Sequence, residues 1–303
     1  MGTASIHIDR VSLAWRGLRN KLASRRASSR DCVHLHRFWR RIHANSPGIL
    51  LEGARYCADE CLEPVLFDVF ERVRSAPNFG AVPHRIPLGL LLVSRRQLST
   101  EQLRIALAAQ RAAGEGRLGE WLLSLGFITE EKLVAALARQ WSCPVLRLSS
   151  FPRRVARSPQ IPWTLLEGFA MIPVDYVEAT STLHLAFGDR LDHSLLYAIE
   201  TMTGSHTESC MAAPSFVRTT LGELFPRRSE HEVAFERPAE TAECCRTIRS
   251  YCLRLCPSEL RFAGCGPYVW VRLFHDSRPL IDLLFRTAAA LSPSTTIMAR
   301  TSA

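Results

Sequence analysis

Residues 87–110 read PLGLLLVSRRQLSTEQLRIALAAQ, and residues 117–140 read RLGEWLLSLGFITEEKLVAALARQ. The two stretches align without a gap at an offset of 30. Leu88/Leu118, Gly89/Gly119, Leu92/Leu122, Glu101/Glu131, Leu103/Leu133, Ala106/Ala136, Leu107/Leu137 and Gln110/Gln140 are identical pairs. Agreement held in register over that length marks an internal duplication of one supersecondary unit, which needs its neighbour to bury its apolar face.

Each copy has the grammar of helix, turn, helix. A first helix carries Leu-Gly-x-x-Leu, and a break falls at Arg96–Leu98 or Gly126–Ile128. Ser99 or Thr129 then caps a second helix, since a short hydroxyl side chain accepts from otherwise unpaired N–H groups of the first turn. Glu101, Glu130 and Glu131 fall in that turn, where the helix dipole favours acids, and Ser99 with Gln102 fits a capping box. Leu103, Leu107 and Gln110 share one helical face, as do Leu133, Leu137 and Gln140. Two such hairpins are expected to pack as a four-helix subdomain over residues 83–143.

Downstream, residues 144–225 read as a small α/β subdomain. PVLRL (144–148) is a short strand, Pro162–Phe169 a helix, and Ile172–Val177 with Leu183–Phe187 a hairpin around Thr180–Thr182. Leu191–Thr203 is an amphipathic helix ending at Gly204, which suits the left-handed position after a helix. A strand near Thr207–Ala212 and a helix over Pro214–Leu224 complete it. Residues 226–238 are charged and read as a linker. Residues 239–291 read as an αββα-like module: a helix, a hairpin of Leu260–Phe262 and Tyr268–Phe274 turning at Gly264–Pro267, and a last helix around Leu280–Ala290. The tail 292–303 is expected to be disordered.

Upstream, residues 48–82 read as a helical segment and linker, with Leu62, Val65, Leu66, Val69 and Phe70 at helical spacing and a boundary in the Pro- and Gly-bearing stretch before residue 83. Residues 1–47 form a basic arm, amphipathic or partly disordered. The first 50 residues hold ten Lys/Arg against Asp9 and Asp31, so most of the chain's net charge of +9 sits there. Val11, Trp15, Leu18 and Leu22 line one helical face, and His34, His36, Phe38, Trp39 and His43 stand among arginines. Such an arm is either a solvated segment whose charge aids solubility or one that suits an anionic membrane surface or an acidic partner, through residues 1–45. Nucleic acid is the less favoured occupant. The fold class is therefore α+β.

Composition removes several function classes. With 47% hydrophobic and 22% charged residues the chain is ordinary for a globular protein. No stretch reaches the roughly 18–20 apolar residues of a membrane span, and the charged N-terminus lacks the apolar run of a secretory signal. The expected location is the cytoplasm, with peripheral contact at the inner membrane. The ten cysteines are spread without a CxxC pair, so no metal site is expected. Cys57 with Cys61, and Cys252 with Cys256, stand four apart and read as small buried residues. Lys21 and Lys132 are the only lysines, and neither follows a glycine-rich turn, so a phosphate-binding P-loop is missing. No HExxH or GxSxG occurs either, and Asp175, Asp189, Asp192 and His193 fit loop polarity and helix capping better than acid–base work. Catalysis is not expected.

The repeated Leu-Gly-x-x-Leu … Leu-x-x-x-Leu-x-x-Gln pattern, followed by the Pro144-Val-Leu start of an α/β piece, resembles the N-terminal domain of type II secretion and type IV pilus assembly ATPases, the GspE N-terminal or MshEN-like family. The resemblance covers about residues 85–225. A weaker likeness, Ser258-Glu-Leu-Arg-Phe262 and Val269-Trp-Val-Arg-Leu273, is to strands that precede the nucleotide core in those ATPases. The resemblance implies a bacterial, non-enzymatic regulatory or adaptor protein. It implies docking on a secretion or pilus component, either an ATPase or an inner-membrane platform protein, or binding of cyclic di-GMP as a regulatory ligand, with no other cofactor.

Carried onto this chain, the ligand residues are Arg85, Leu88, Gly89, Leu92, Gln110, Arg117, Leu118, Gly119, Leu122, Gly126 and Gln140. A cyclic dinucleotide offers two guanine faces and two phosphates. Arg117 would stack on a guanine or pair with phosphate, and Gly89 and Gly119 would let the ligand approach the backbone. Leu88, Leu92, Leu118 and Leu122 would give apolar contact, while Gln110 and Gln140 would bond base edges or cap helix ends. The first copy departs from the pattern with Pro87 in place of Arg117 and Arg96 in place of Gly126; Arg85 is then the replacement cation, with Arg95 or Arg96 adding charge.

Overall fold

The computed structural model describes residues 48–56, 61–76, 85–146, 160–224 and 231–287. The basic arm, Cys57, most of the stretch before residue 83, residues 226–230 and the tail lie outside them. In chain order the elements are β1 (Ile49–Leu51), β2 (Ala54–Tyr56), α1 (Leu62–Ser75), α2 (Leu88–Ser94), α3 (Thr100–Ala113), α4 (Leu118–Ser124), α5 (Glu130–Trp141), α6 (Trp163–Gly168), β3 (Met171–Val177), β4 (Thr182–Phe187), α7 (His193–Thr203), β5 (His206–Met211), α8 (Pro214–Leu224), β6 (Glu232–Phe235), α9 (Thr241–Leu255), β7 (Glu259–Cys265), β8 (Tyr268–His275) and β9 (Arg278–Arg286). The fold is α+β, with one sheet ordered β2-β1-β7-β8-β9-β6 and another ordered β3-β4-β5. No helix among the described residues is long and apolar enough to cross a membrane.

The chain divides into two compact units. One comprises the described residues up to Phe70 with Glu240–Arg261 and Arg272–Leu280. Its interior holds Leu62, Leu66, Val69 and Phe70 of α1 and Cys244, Cys245, Ile248 and Cys252 of α9. Cys61 is buried too, whereas Cys256 is exposed and follows the end of α9.

The other unit comprises Glu71–Ala239, Phe262–Val271 and the described residues from Ile281 on. Here the two motif copies fold alike. α2 and α4 close with the same pair of bonds: Arg96 N to Val93 O (2.9 Å) and Gln97 N to Leu92 O (3.0 Å), then Gly126 N to Leu123 O (2.9 Å) and Phe127 N to Leu122 O (3.0 Å). This is the Schellman end, which requires a left-handed residue. Arg96 (φ 57°) and Gly126 (φ 67°) supply it. Ser99 Oγ accepts from Gln102 N (3.1 Å) while Gln102 Oε1 accepts from Ser99 N (2.9 Å), a complete capping box. Thr129 Oγ1 accepts from Lys132 N at 3.4 Å, and lysine at that position offers no return acceptor.

The copies pack by exchange. α2 rests on α5 and α3 on α4, with α2 also beside α4. Leu92, Leu98, Leu122, Ile128, Leu133 and Leu137 belong to one buried cluster that continues through Leu165, Met171, Leu183, Phe187, Leu195 and Met211. β3 pairs antiparallel with β4, and β4 parallel with β5. α5 packs on β5, and the Glu130 carboxylate accepts from Ser215 N (2.8 Å) and Ser215 Oγ (2.5 Å) in α8.

Four expectations give way. The segment 48–82 is not only helical: Ile49–Leu51 and Ala54–Tyr56 pair antiparallel across Glu52 and Gly53, both at positive φ (50° and 84°). That is the two-residue hairpin turn matching strand twist. PVLRL is reduced to a single bridge, Val145 to Met211, among the described residues. The linker 226–238 contains β6, which runs parallel to β9 with Phe235 stacked on Phe285 at 4.7 Å.

Lastly, the expected helix around Leu280–Ala290 is the strand β9, so the αββα-like module has a third strand after Asp276 and Ser277, again both at positive φ. β9 lies between two other strands. Ile281 to Phe285 are all buried, and a strand covered on both faces loses the alternation that distinguishes it from a buried helix. The one polar residue in the run, Asp282, accepts from Trp270 Nε1 at 2.6 Å in the interior.

Candidate ligand site on the duplicated helix pairs

The exchange that packs the copies also brings their glycines into matching surroundings. A Cβ at Gly89 would meet Leu103 Cδ1 at 2.6 Å and Leu118 Cδ2 at 3.3 Å. A Cβ at Gly119 would meet Leu133 Cδ1 at 3.0 Å and Leu88 Cδ2 at 3.7 Å. Shifting every number of the first set by 30, with copies exchanged, gives the second. Both glycines are buried by helix packing, so close approach here is between helices.

The glutamines obey the same exchange. Gln110 Nε2 donates to the carbonyl of Gly116 (2.9 Å), and Gln140 Nε2 donates to the carbonyl of Ile86 (2.8 Å). Each fastens the lead-in of the other copy's first helix. One amide N–H of each glutamine thus latches the two copies together, while the second N–H and the carbonyl oxygen take no part in that latch. Leu92 and Leu122 are 0% exposed, which leaves Leu88 and Leu118 as the partly accessible leucines of the four. Gly126 is exposed at its turn, with open space around its Cβ direction.

The two cations behave differently. Arg117, just before α4, pairs with Asp189 in the loop between β4 and α7. Burial, then the neighbouring Arg190, pull its guanidinium below the ordinary value, opposed by Glu120. Arg85 lies with its guanidinium carbon 3.4 Å from the centre of the Trp141 ring. Its Nη2 is 3.0 Å from His193 Nε2, and the Trp141 and His193 rings stand 6.3 Å apart at 55°. Arg85, Ile86, Leu91, Arg139, Gln140, Trp141 and Ser142 line a cleft of about 430 Å³.

Sequence reasoning missed Trp141 and the partners supplied by the β4–α7 loop and the first residue of α7. Asp192 does cap α7, accepting from Ser194 N (2.9 Å) and Leu195 N (3.2 Å). Asp189 and His193 instead meet the two arginines. The available signal was Trp141 itself, which follows the last position shared by the two copies, where the first has Arg111.

No protein-family profile matches the sequence. Over 141 residues, 46% of its length, the chain is 27% identical to the type IV pilus assembly ATPase PilB of Myxococcus xanthus (strain DK1622). Together with the registered motif pair, that match decides the likeness. The chain resembles the N-terminal domain of secretion and pilus ATPases. It spans about a quarter (24%) of PilB's length. Among solved structures, MshE with cyclic di-GMP is 30% identical with a TM-score of 0.40, the match covering 46% of this chain and all of that one. The N-terminal domain of XpsE is 20% identical with a TM-score of 0.35, covering 45% of this chain and 91% of the other. The matched region takes in under half of the chain.

Proposed function

We propose that this chain is a non-enzymatic regulatory or adaptor protein of a type II secretion or type IV pilus machine, whose duplicated helix pairs bind cyclic di-GMP. The observation that carries the reading is the exchange relation between the copies, with Gly89 facing Leu118 and Gly119 facing Leu88. Two leucine-bearing halves related by exchange, with different cations beside them, suit a ligand made of two equivalent guanylate halves. Leu88 and Leu118 offer the apolar contact, Arg117 and Arg85 the cations. The likeness to secretion and pilus ATPase N-terminal domains supports the same reading. Its partner would be an ATPase or an inner-membrane platform protein, which would hold the chain at the cytoplasmic face of that membrane.

Arg117 must exchange Asp189 for the ligand, so binding carries the cost of breaking that pair. Calorimetric titration of cyclic di-GMP into the full chain and into Arg117→Ala tests the ligand. Loss of one stacked or paired cation is expected to weaken binding by about two- to thirtyfold. Absence of heat in the unaltered chain at ligand concentrations of about 100 μM, a binding free energy weaker than roughly 5.5 kcal/mol, would remove it. Crosslinking in cells tests the adaptor role, which requires recovery of an ATPase or a platform protein.

A second reading draws on the arm, where ten Lys/Arg face two acids. Association with an anionic membrane or nucleic acid through residues 1–45 would fall steeply with salt and vanish on their deletion.

A further inference from the structure

We propose that Trp141 and His193 are positioning residues for Arg85, holding it as a stacking platform for one base of the ligand until His193 takes up a proton. The inference rests on the cyclic di-GMP reading above and names how one half of that site is built and regulated.

A guanidinium is flat, with N–H donors in its plane and two faces that stack. Trp141 covers one face of Arg85 at 3.4 Å, and His193 Nε2 takes an in-plane hydrogen at 3.0 Å. Arginine has only donors, so His193 Nε2 must be the bare nitrogen and Nδ1 must carry the hydrogen. The plane and the rotation of the guanidinium are thereby both fixed. Arg85 and Trp141 line the same cleft of about 430 Å³ as Gln140 and Arg139. A guanine stacked on Arg85 there completes a base–cation–indole stack, with Arg139 beside it for phosphate. The second copy cannot build this, because Glu115 and Arg111 stand where Arg85 and Trp141 would be.

The groups facing His193 set its charge. Arg85 approaches from the segment before α2, Asp192 from the position before its own helix, and Trp141 from the end of α5, with Cys143 beyond it acting on Arg85. Asp192 is engaged by the first N–H groups of α7, and burial holds the Cys143 thiol neutral. His193 is exposed as a residue, yet partial covering of its ring, then Arg85, hold it below the ordinary imidazole value, with Asp192 opposing. His193 is therefore neutral at neutral pH. As pH falls through that lowered value, Nε2 gains a hydrogen, the acceptor disappears, and two cations face each other at 3.0 Å. The platform is intact above the ordinary imidazole range and lost below it.

The test pairs cyclic di-GMP titrations of the full chain at about pH 7.5 and 5.5 with the NMR signal of the Arg85 side-chain N–H, assigned with Arg85→Lys. The unaltered chain is expected to bind about two- to thirtyfold more weakly at the lower pH. His193→Gln keeps an acceptor that does not titrate and should give a flat profile with near-normal affinity. Trp141→Phe should bind nearly as well as the unaltered chain, and Trp141→Ala should lose about as much as acidification does. A flat or rising affinity on acidification of the unaltered chain overturns the proposal. Should no ligand bind at either pH, the cyclic di-GMP reading falls, and the Arg85 signal still decides the positioning. A shift on acidification that His193→Gln abolishes supports it, and a signal indifferent to pH overturns it.

Discussion

Helices α3 and α5 descend from one duplicated sequence, yet they live in different surroundings. In α5, Leu133, Val134, Ala136, Leu137 and Ala138 are buried, whereas in α3 only Ala106 is. The first helices do not differ this way: Gly89 and Leu92 of α2, like Gly119 and Leu122 of α4, are buried alike. The duplicated letters thus specify the hairpin and its exchange packing, and the neighbour of each second helix decides the rest. α5 has β5 and Ser215 beside it. At the position where α5 buries Val134, α3 carries Arg104, bonded to Glu101 in the solvent.

The largest break in the comparison should come from truncating equivalent leucines. Leu137→Ala removes a side chain only 5% exposed in the continuous core, and is expected to cost about 2–4 kcal/mol. Leu107→Ala, at the partly exposed equivalent, should cost about 1 kcal/mol, the value of an incomplete burial. Urea unfolding of the two variants gives both numbers. Equal costs would mean that the outer face of α3 is covered in solution after all.

A smaller effect sharpens the exchange itself. Gln110→Ala and Gln140→Ala each remove one bond to the other copy's backbone, worth about 0.5–1.5 kcal/mol. The matched geometry predicts similar losses. If Gln140→Ala alone also weakens cyclic di-GMP, its latch on Ile86 is holding Arg85 as well as the fold.

What could be seen in the letters alone divides along the same line. The helix pairs were legible because their signals are local: Leu spacing, Ser99 and Thr129 as caps, and a gapless register between copies. The β3–β4 hairpin and α8 were legible for the same reason. β9 was not, because a strand buried on both faces carries no period, and β6 was not, because four residues among charged flanks have no local signature. The β1–β2 hairpin hid in Glu52-Gly53, a weaker turn signal than Asn-Gly. At the site, Arg85 and Arg117 could be named, but their partners could not. Asp189, in the β4–α7 loop, and His193, the first residue of α7, stand over 70 residues further along the chain, and only tertiary structure brings them to the arginines.

The smallest prediction exchanges one residue between the copies. Arg96 and Gly126 hold equivalent left-handed positions with the same pair of backbone bonds, and both are exposed. Nothing lies within 4 Å of a Cβ built on Gly126, so the difference between the copies there is one of backbone conformation. A side chain at positive φ costs about 1–2 kcal/mol, offset by the roughly 0.5–1 kcal/mol that glycine loses through the freedom of the unfolded chain. Arg96→Gly should therefore stabilise the chain by about 0.5 kcal/mol, and Gly126→Arg should destabilise it by a similar amount, both read as shifts in the urea midpoint. If Arg96→Gly instead lowers the midpoint, the arginine side chain is holding something in place, and the first copy has a contact that the second lacks.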